Sequence, residues 1–337
     1  MIIYADIIRI SLCFLIEKNF LKYVYIYTII VYNKLLPNQT NTSISIIIPL
    51  HNEEMRIERC VERLLSYCKE REWDFELIFV EDNSTDNTSA ILNGFSLSES
   101  RIKILNIPTR VGKGGAIMYS ALSLPIKKYV AYMDVDLAAD PSELERLFEY
   151  IEDYDVVVGS RILRGDLLPI KRPLYRSLLS DSYSRLFRIL FRMPIRDPQC
   201  GFKLFTKDII AKLFDEVIVT DFAFDTDVLV TAFSQGLRVK EIPINWTDGK
   251  YSTVSVLDEI QSMGIDLLSI WYRSHLSWIQ GKMSYPQKKG SIFGRLLFVL
   301  LSSSNTIKNR HLKCLKIKSE MTNQIKNNME STKTINL

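Results

Sequence analysis

The sequence predicts an α/β fold, a mostly parallel sheet with helices on both faces. Three observations predict it. From Ser43 onward, short β-branched runs alternate with polar turns and helical stretches whose apolar residues recur every three or four positions. The runs are almost continuously apolar, as strands covered on both faces must be. Polar residues then collect directly after the runs, where open sheets of this kind bind ligands.

Taken in order, strands are expected at Ile44 to Ile48, Phe75 to Val80, Ile102 to Asn106, Tyr129 to Met133 and Val156 to Gly159. Helices are expected between them near Glu53 to Lys69, Asp86 to Gly94, Lys113 to Leu124 and Ser142 to Glu152. The second half is less regular. It holds a basic helical stretch from Arg172 to Arg192, a helix opened by Phe224-Asp225-Thr226-Asp227, a last strand over Val239 to Asn245, and an apolar-periodic helix over Val254 to Trp278. No repeat of roughly twenty to fifty residues appears, which excludes solenoids and propellers.

Three parts are expected: an apolar N-terminal segment with linker (1–42), a catalytic-type domain (43–280) and a basic tail (281–337). Asp6, Arg9, Glu17, Lys18 and Lys22 interrupt the first segment and leave Tyr23 to Asn33 as its longest uncharged stretch, too short for a clean span of about twenty residues. It reads as a membrane-adjacent or imperfectly spanning helix. The tail carries eleven Lys/Arg against two Glu, although the whole chain is only +4, so the remainder is net acidic. Such a tail can lie on an anionic membrane, bind nucleic acid, or form a solvated end; a membrane surface and no nucleic acid is the expectation. The five cysteines are scattered, without a Cys-x-x-Cys, and suit a reduced, cytoplasm-facing protein.

The chemistry concentrates after the strands. Asp134 and Asp136 stand two apart at the end of an apolar strand; if strand geometry persists, both carboxylates project to one side and can hold Mg²⁺ or Mn²⁺ against a diphosphate leaving group. Asp82 closes the second strand, where a carboxylate can accept from the N–H edge of a planar base, while Asp86 reads as a helix cap. Gly112-Lys113-Gly114-Gly115 lacks the spacing of a Walker A loop, yet offers flexible backbone, a cation and a helix start suited to a diphosphate. Arg161, Arg172 and Arg176 follow the fifth strand and are guanidinium forks suited to an acceptor phosphate.

Taken together, Ile-Pro-Leu-His-Asn-Glu-Glu (48–54), Glu-Asp-Asn-Ser-Thr-Asp (81–86), Gly-Lys-Gly (112–114), Asp-Val-Asp-Leu-Ala (134–138), Gly-Ser-Arg (159–161) and Gln-Cys-Gly-Phe-Lys (199–203) resemble the family 2 glycosyltransferases. Within that family the chain is most similar to dolichyl-phosphate β-glucosyltransferases and polyprenyl-phosphate glycosyltransferases, from Ser43 to about Trp278. The resemblance implies a GT-A fold, a nucleotide sugar (UDP-glucose) as donor, Mg²⁺ or Mn²⁺ as cofactor, and a polyprenyl (dolichyl) phosphate as acceptor. It implies that Pro49, Asn52, Glu53 and Asp82 line the nucleotide pocket with Lys113 near it, and that Asp134 and Asp136 hold the metal-diphosphate. Arg161 and Arg172 would meet the acceptor phosphate, with Gln199 and Asp225 on the sugar side. Glu81, Asn83 and Ser252-Thr253 depart from the family's usual Asp, Gly and Ser-Lys.

The implied reaction is an inverting displacement by the acceptor phosphate. A phosphate monoester has a second pKa of about 6 and is mostly dianionic at neutral pH, so no strong base is required. Asp225 then orients a sugar hydroxyl, assists proton traffic or is structural. The alternatives are a GDP-mannose donor or a glycan hydroxyl acceptor, the latter needing a carboxylate base.

Overall fold

The structure, a computed structural model, describes residues 42–163, 174–221, 223–247 and 256–279, with 312, 315, 319 and 322; for 174–178, 256–261 and 276–279 it describes the backbone alone. The expected N-terminal segment before Thr42, nearly all of the basic tail, Arg172, and the departures at Ser252-Thr253 lie outside the described residues, as does the Arg176 side chain. The chain separates into two compact units, Met1–Thr42 and Ser43–Leu337, and the fold described here belongs to the second.

Seven strands form one sheet: β1 (Ser43–Leu50), β2 (Asp74–Asp82), β3 (Ile102–Ile107), β4 (Tyr129–Tyr132), β5 (Val156–Ser160), β6 (Lys203–Thr206) and β7 (Val239–Pro243). Their spatial order is β3-β2-β1-β4-β6-β5-β7. All neighbouring pairs are parallel except those of β6, which runs antiparallel to both β4 and β5. β6 is the strand that periodicity does not reveal, because Lys203 interrupts an otherwise apolar run and the strand is only four residues long.

The helices are α1 (Ile57–Glu70), α2 (Thr88–Ser98), α3 (Lys113–Ser123), α4 (Glu143–Phe148), α5 (Leu174–Phe191), α6 (Lys207–Glu216), α7 (Phe224–Ser234) and α8 (Val256–Ile279). Period-two alternation divides the strands between two cores. Ile47, Ile78, Val130 and Val156 face α3, α5, α6, α7 and α8, whereas Ile46, Ile48, Phe79, Ala131 and Val157 face α1, α2 and α4. The expected two-faced, mostly parallel sheet is therefore present. Each buried Ile, Val or Phe in such a core stabilises the fold by about 1.5–3 kcal/mol relative to exposure.

The strand order locates the ligand crevice. After β1 the chain winds outward to β2 and β3, then returns to lay β4 on the other side of β1. The loops leaving β1 and β4 thus diverge and open a crevice beyond their carboxyl ends. Antiparallel β6 pairs Lys203 with Tyr132 and Thr206 with Tyr129, so it is its beginning that lies at this same rim.

Candidate active site

The loops after β1 and β2 are knitted together. Asn52 adopts a left-handed φ of 57°; its side-chain oxygen accepts from the Thr85 amide at 2.7 Å and its own amide donates to Ser84 Oγ at 3.0 Å. The Glu53 amide donates to Thr88 Oγ1 at 2.8 Å. Asp86 accepts from the Thr88 amide at 3.0 Å and the Glu54 amide at 3.1 Å, so it serves the first amide of α2 from one position before the N-cap residue, Asn87, while also tying down the first loop. Asn83 has φ 59°, a left-handed conformation that the glycine expected from the resemblance would adopt freely and that Asn is among the few other residues to tolerate. Pro49 is the penultimate residue of β1, in register with Val80. Burial, opposed by Arg56, raises the Glu53 carboxyl above the usual range.

Asp82 has a structural employment that the sequence does not disclose. It is 3% exposed, and its two carboxylate oxygens accept from the Val111 amide at 2.8 Å and the Gly112 amide at 2.9 Å. Burial raises its pKa and those two bonds oppose the rise.

The phosphate-loop reading of residues 112–115 is corrected by the same geometry. The Gly114 and Gly115 amides already donate to the Thr220 carbonyl, at 2.8 and 3.2 Å, so this helix start presents no free N–H cradle. The glycines serve close packing instead. Gly112 sits at φ 85°, and a Cβ on Gly114 would lie 2.4 Å from the Phe224 ring.

At the end of β4 the strand geometry does not persist. The chain turns, with the Leu137 amide donating to the Asp134 carbonyl at 3.2 Å, Leu137 at φ 52°, and the Ala138 amide donating to Asp136 Oδ1 at 3.0 Å. A turn, not a pleat, holds the two carboxylates together. They remain electrostatically coupled: burial first, and then the Asp134 charge, raises the Asp136 carboxyl above the usual range.

Lys113 Nζ stands 2.7 Å from Asp134 Oδ1 and 3.4 Å from Asp225 Oδ2. Burial disfavours its charge, but the two carboxylates outweigh burial and hold the ammonium above the usual lysine range. Asp225 is in turn gripped from behind. Its Oδ1 accepts from Tyr132 OH at 2.6 Å and from Lys203 Nζ at 2.5 Å, and Lys203, fully buried, also donates to the Cys200 carbonyl at 2.5 Å. Burial tends to raise the Asp225 carboxyl; Lys113 and Lys203 overcome it and bring it down to about 2. Held by Lys113, Lys203 and Tyr132 together, Asp225 anchors both lysines, the structural one of its three expected roles.

The acidic pair suits a divalent cation. Among the described residues no three His, Cys, Asp or Glu side chains form a metal cage. Mg²⁺ is commonly held by one or two carboxylates with substrate phosphates completing the shell, and two coupled acids, one raised by burial, match that pattern. Gly201 makes room here, since a Cβ on it would lie 2.5 Å from Asp134 Oδ2 and 2.6 Å from Lys113 Nζ.

Arg161 does not present an open fork. Its Nε and Nη2 donate to Asp197 Oδ2 and Oδ1 at 2.7 and 2.8 Å, its backbone amide donates to Oδ2 at 2.8 Å, and its guanidinium carbon lies 5.2 Å from the Trp246 ring centre. Burial works against the Asp197 charge, and Arg161 still holds that carboxyl below the usual range. The sequence names Arg161 but not its counter-ion Asp197, thirty-six positions on. Gln199 sits nearby and donates to Met263 Sδ at 3.9 Å. Lys203 closes the Gln-Cys-Gly-Phe-Lys motif without a role read from it, and Tyr132 belongs to no motif; the signal for Lys203 is a lone charge inside the apolar run Phe202 to Phe205.

The geometry thus brings Asp134, Asp136, Lys113 and Asp225 together, with Gly201 of the Gln199–Lys203 motif against them. The sequence model for Glycosyl transferase family 2 matches residues 45–214, half of the chain, and spans these motifs. This chain is a family 2 glycosyltransferase. Among relatives of this glycosyltransferase, dolichyl-phosphate beta-glucosyltransferase ALG5C of Trichomonas vaginalis is 32% identical over 254 residues, 71% of this chain and 74% of that protein. Glycosyltransferase AglD of Haloferax volcanii is 33% identical over 236 residues, 68% of this chain, and the match spans only 37% of that longer protein. Among solved structures, glucosyl-3-phosphoglycerate synthase of Mycobacterium tuberculosis, in complex with Mn²⁺, UDP and glucosyl-3-phosphoglycerate, superposes with a TM-score of 0.51 at 17% identity, over 74% of this chain and 83% of that one. The fold is accordingly GT-A, and the chain is an enzyme of the glycosyltransferase class.

Proposed function

We propose that this glycosyltransferase moves glucose from UDP-glucose to a polyprenyl (dolichyl-type) phosphate, with inversion, in the crevice between β1 and β4. The observation that carries the proposal is the joint placement of Asp134, Asp136 and Lys113 at the switch point of the sheet, where a nucleotide diphosphate is expected. The sugar and the acceptor are supported by the names of the relatives, several of which are dolichyl-phosphate beta-glucosyltransferases matched over about three quarters of their length.

In this reading Asp134 and Asp136 hold Mg²⁺ or Mn²⁺, which when bound offsets the charge growing on the departing diphosphate. Lys113 supplies a fixed positive charge beside them, already oriented by Asp225 and therefore needing little reorganisation. The knitted loops Pro49 to Glu53 and Asp82 to Asp86 form the wall against the nucleotide. Arg161, braced by Asp197 and Trp246, keeps N–H groups beyond the two given to Asp197, and with Arg172 and Arg176 would meet the acceptor phosphate. Both oxygens of Asp225 are engaged, by Tyr132 and Lys203 on one and Lys113 on the other, which leaves it poorly placed as the base a glycan hydroxyl would require, whereas a phosphate dianion needs none. The donor site would face the cytoplasm at a membrane surface.

The test is to incubate the purified chain with UDP-glucose, GDP-mannose and other nucleotide sugars, a short-chain polyprenyl phosphate and Mn²⁺, and to weigh the lipid product by mass spectrometry. A hexose added from UDP-glucose supports the proposal. Transfer only from GDP-mannose, or only to a glycan, overturns it.

A further inference from the structure

The opening of α7, Phe224-Asp225-Thr226-Asp227, holds the start of α3 in two ways. Asp225 takes the Lys113 ammonium directly. Asp227 works through the backbone instead. It is fully buried, and its Oδ2 accepts from the Ile218 amide at 2.7 Å and the Val219 amide at 3.0 Å. The next carbonyl along the chain, that of Thr220, is the one that receives the Gly114 and Gly115 amides, at 2.8 and 3.2 Å. Lys113 immediately precedes those two glycines, so the position of its backbone follows from where residues 218–220 lie.

The other oxygen of Asp227 faces α8. It accepts from Arg273 Nη2, and from Thr231 Oγ1 at 3.4 Å. Arg273 Nη2 also donates to Thr231 Oγ1 at 3.0 Å, and its Nη1 donates to the Glu216 carbonyl at 2.5 Å. One guanidinium therefore joins α8 to α7 and to the end of α6, and the connection that carries Thr220 is clamped from behind. A buried ion pair adds little net stability over an apolar pair of equal volume, so stability alone does not account for a charge at position 227. Direction does. A carboxylate can accept two amides at once while a guanidinium fork fixes its plane, which no apolar side chain can do.

We propose that Asp227, oriented by Arg273, is a positioning residue for the transfer reaction: through residues 218–220 it sets the place of Lys113 beside Asp134. The inference rests on the role proposed for Lys113. Asp225 fixes the tip of that lysine, and Asp227 fixes its root.

The experiment uses the full chain and the variants Asp227→Asn, Arg273→Lys, Lys113→Met and the control Leu64→Ala, which weakens the core on the other face of the sheet. Hydrogen exchange is followed by mass spectrometry on peptides covering the start of α3 and on peptides covering β1. It is read beside steady-state transfer from UDP-glucose to a short polyprenyl phosphate with Mn²⁺. For Asp227→Asn, exchange at Gly114 and Gly115 should be at least about tenfold faster with β1 unchanged, and kcat at least about tenfold lower with the acceptor KM unchanged. Arg273→Lys keeps the charge but cannot reach all three partners, and should move both readings the same way by less. Leu64→Ala should leave the start of α3 as protected as in the unsubstituted chain. Unaltered protection at Gly114 and Gly115 in folded Asp227→Asn overturns the inference. So does faster exchange with undiminished kcat in a protein whose Lys113→Met variant is inactive. Full turnover in Lys113→Met, or no transfer to the lipid phosphate by the unsubstituted chain, defeats the proposed reaction instead, and the exchange readings still decide whether Asp227 places α3. Should Asp227→Asn not fold, the same two readings on Arg273→Lys decide.

Discussion

Lys113 Nζ is shared between Asp134, at 2.7 Å, and Asp225, at 3.4 Å, so the residue beside the proposed metal pair is tethered to a buried anchor on the opposite wall of the crevice. Replacing it by methionine removes the charge while keeping the chain volume. Turnover is expected to fall by two to three orders of magnitude, the scale seen when one preorganised electrostatic group is lost. Saturating Mn²⁺ should not restore it. Steady-state kinetics with and without excess metal check this, and near-normal turnover in Lys113→Met would remove Lys113 from the mechanism.

Asp136→Asn should abolish the dependence of UDP binding on Mn²⁺. In the unsubstituted chain, titration calorimetry should show UDP binding tightened at least tenfold by the ion; in the variant the two titrations should coincide. Retention of metal-enhanced binding would move the ion elsewhere.

Acid should act on binding before it acts on the fold. The Glu53 and Asp136 carboxyls lie above the usual range, chiefly through burial, so a function needing them ionised is lost as pH falls through their raised values, while the native circular dichroism persists. For these two groups the folded state binds protons more tightly than the unfolded one, and acidification favours folding. Asp225 has the opposite sign. Its folded value is depressed to about 2 from an ordinary 3.8, so its stabilisation is complete above the ordinary value and disappears as pH falls from there towards 2. Denaturant midpoints should therefore fall steeply only below about pH 4, and Asp225→Asn should flatten that limb.

Lys203→Met is expected to cost about 3–5 kcal/mol of stability, because it strands the buried Asp225 carboxylate opposite an uncharged chain. Urea unfolding followed by tryptophan fluorescence measures it. The double variant Lys203→Met/Asp225→Leu, which removes both charges, should recover a good part of that loss even though activity does not return.

Gly114→Ala should destabilise by about 1–3 kcal/mol, since its new methyl would overlap the Phe224 ring. Combining it with Phe224→Leu should cost less than the sum of the two single changes.

The parallel half of the sheet was legible because β1, β2 and β5 are long apolar runs, and the crevice because polar residues follow each of them. Strand ends differ from expectation by at most two residues; pairing with a neighbour, as between Leu50 and Glu81, extends β1 and β2 past their apolar stretches. β6 is too short to show a period, whereas α6 carries a helical one in Ile210, Leu213 and Phe214 that the sequence reading passes over. At the site, residue types were readable but partners were not. Nothing near Arg161 in the chain announces Asp197, thirty-six positions away, and nothing beside Asp82 announces that loop 111–112 will claim both its oxygens. The Gly-Lys-Gly run shows the ambiguity most sharply: glycine's freedom and glycine's smallness look identical in a sequence, and here the smallness matters.

β6 enters the sheet from the rim where its neighbours leave it. The crevice therefore receives Gly201 and Lys203 from a segment whose far end, at Thr206, emerges on the opposite edge of the sheet and leads directly into α6. Catalytic fittings and the back of the molecule are thus wired through a single short strand. Lengthening the turn between α6 and the 218–221 segment would shift the Thr220 carbonyl that pins α3, whereas surface additions in the turn between α2 and β3, at Glu99 to Arg101, should leave the reaction chamber undisturbed.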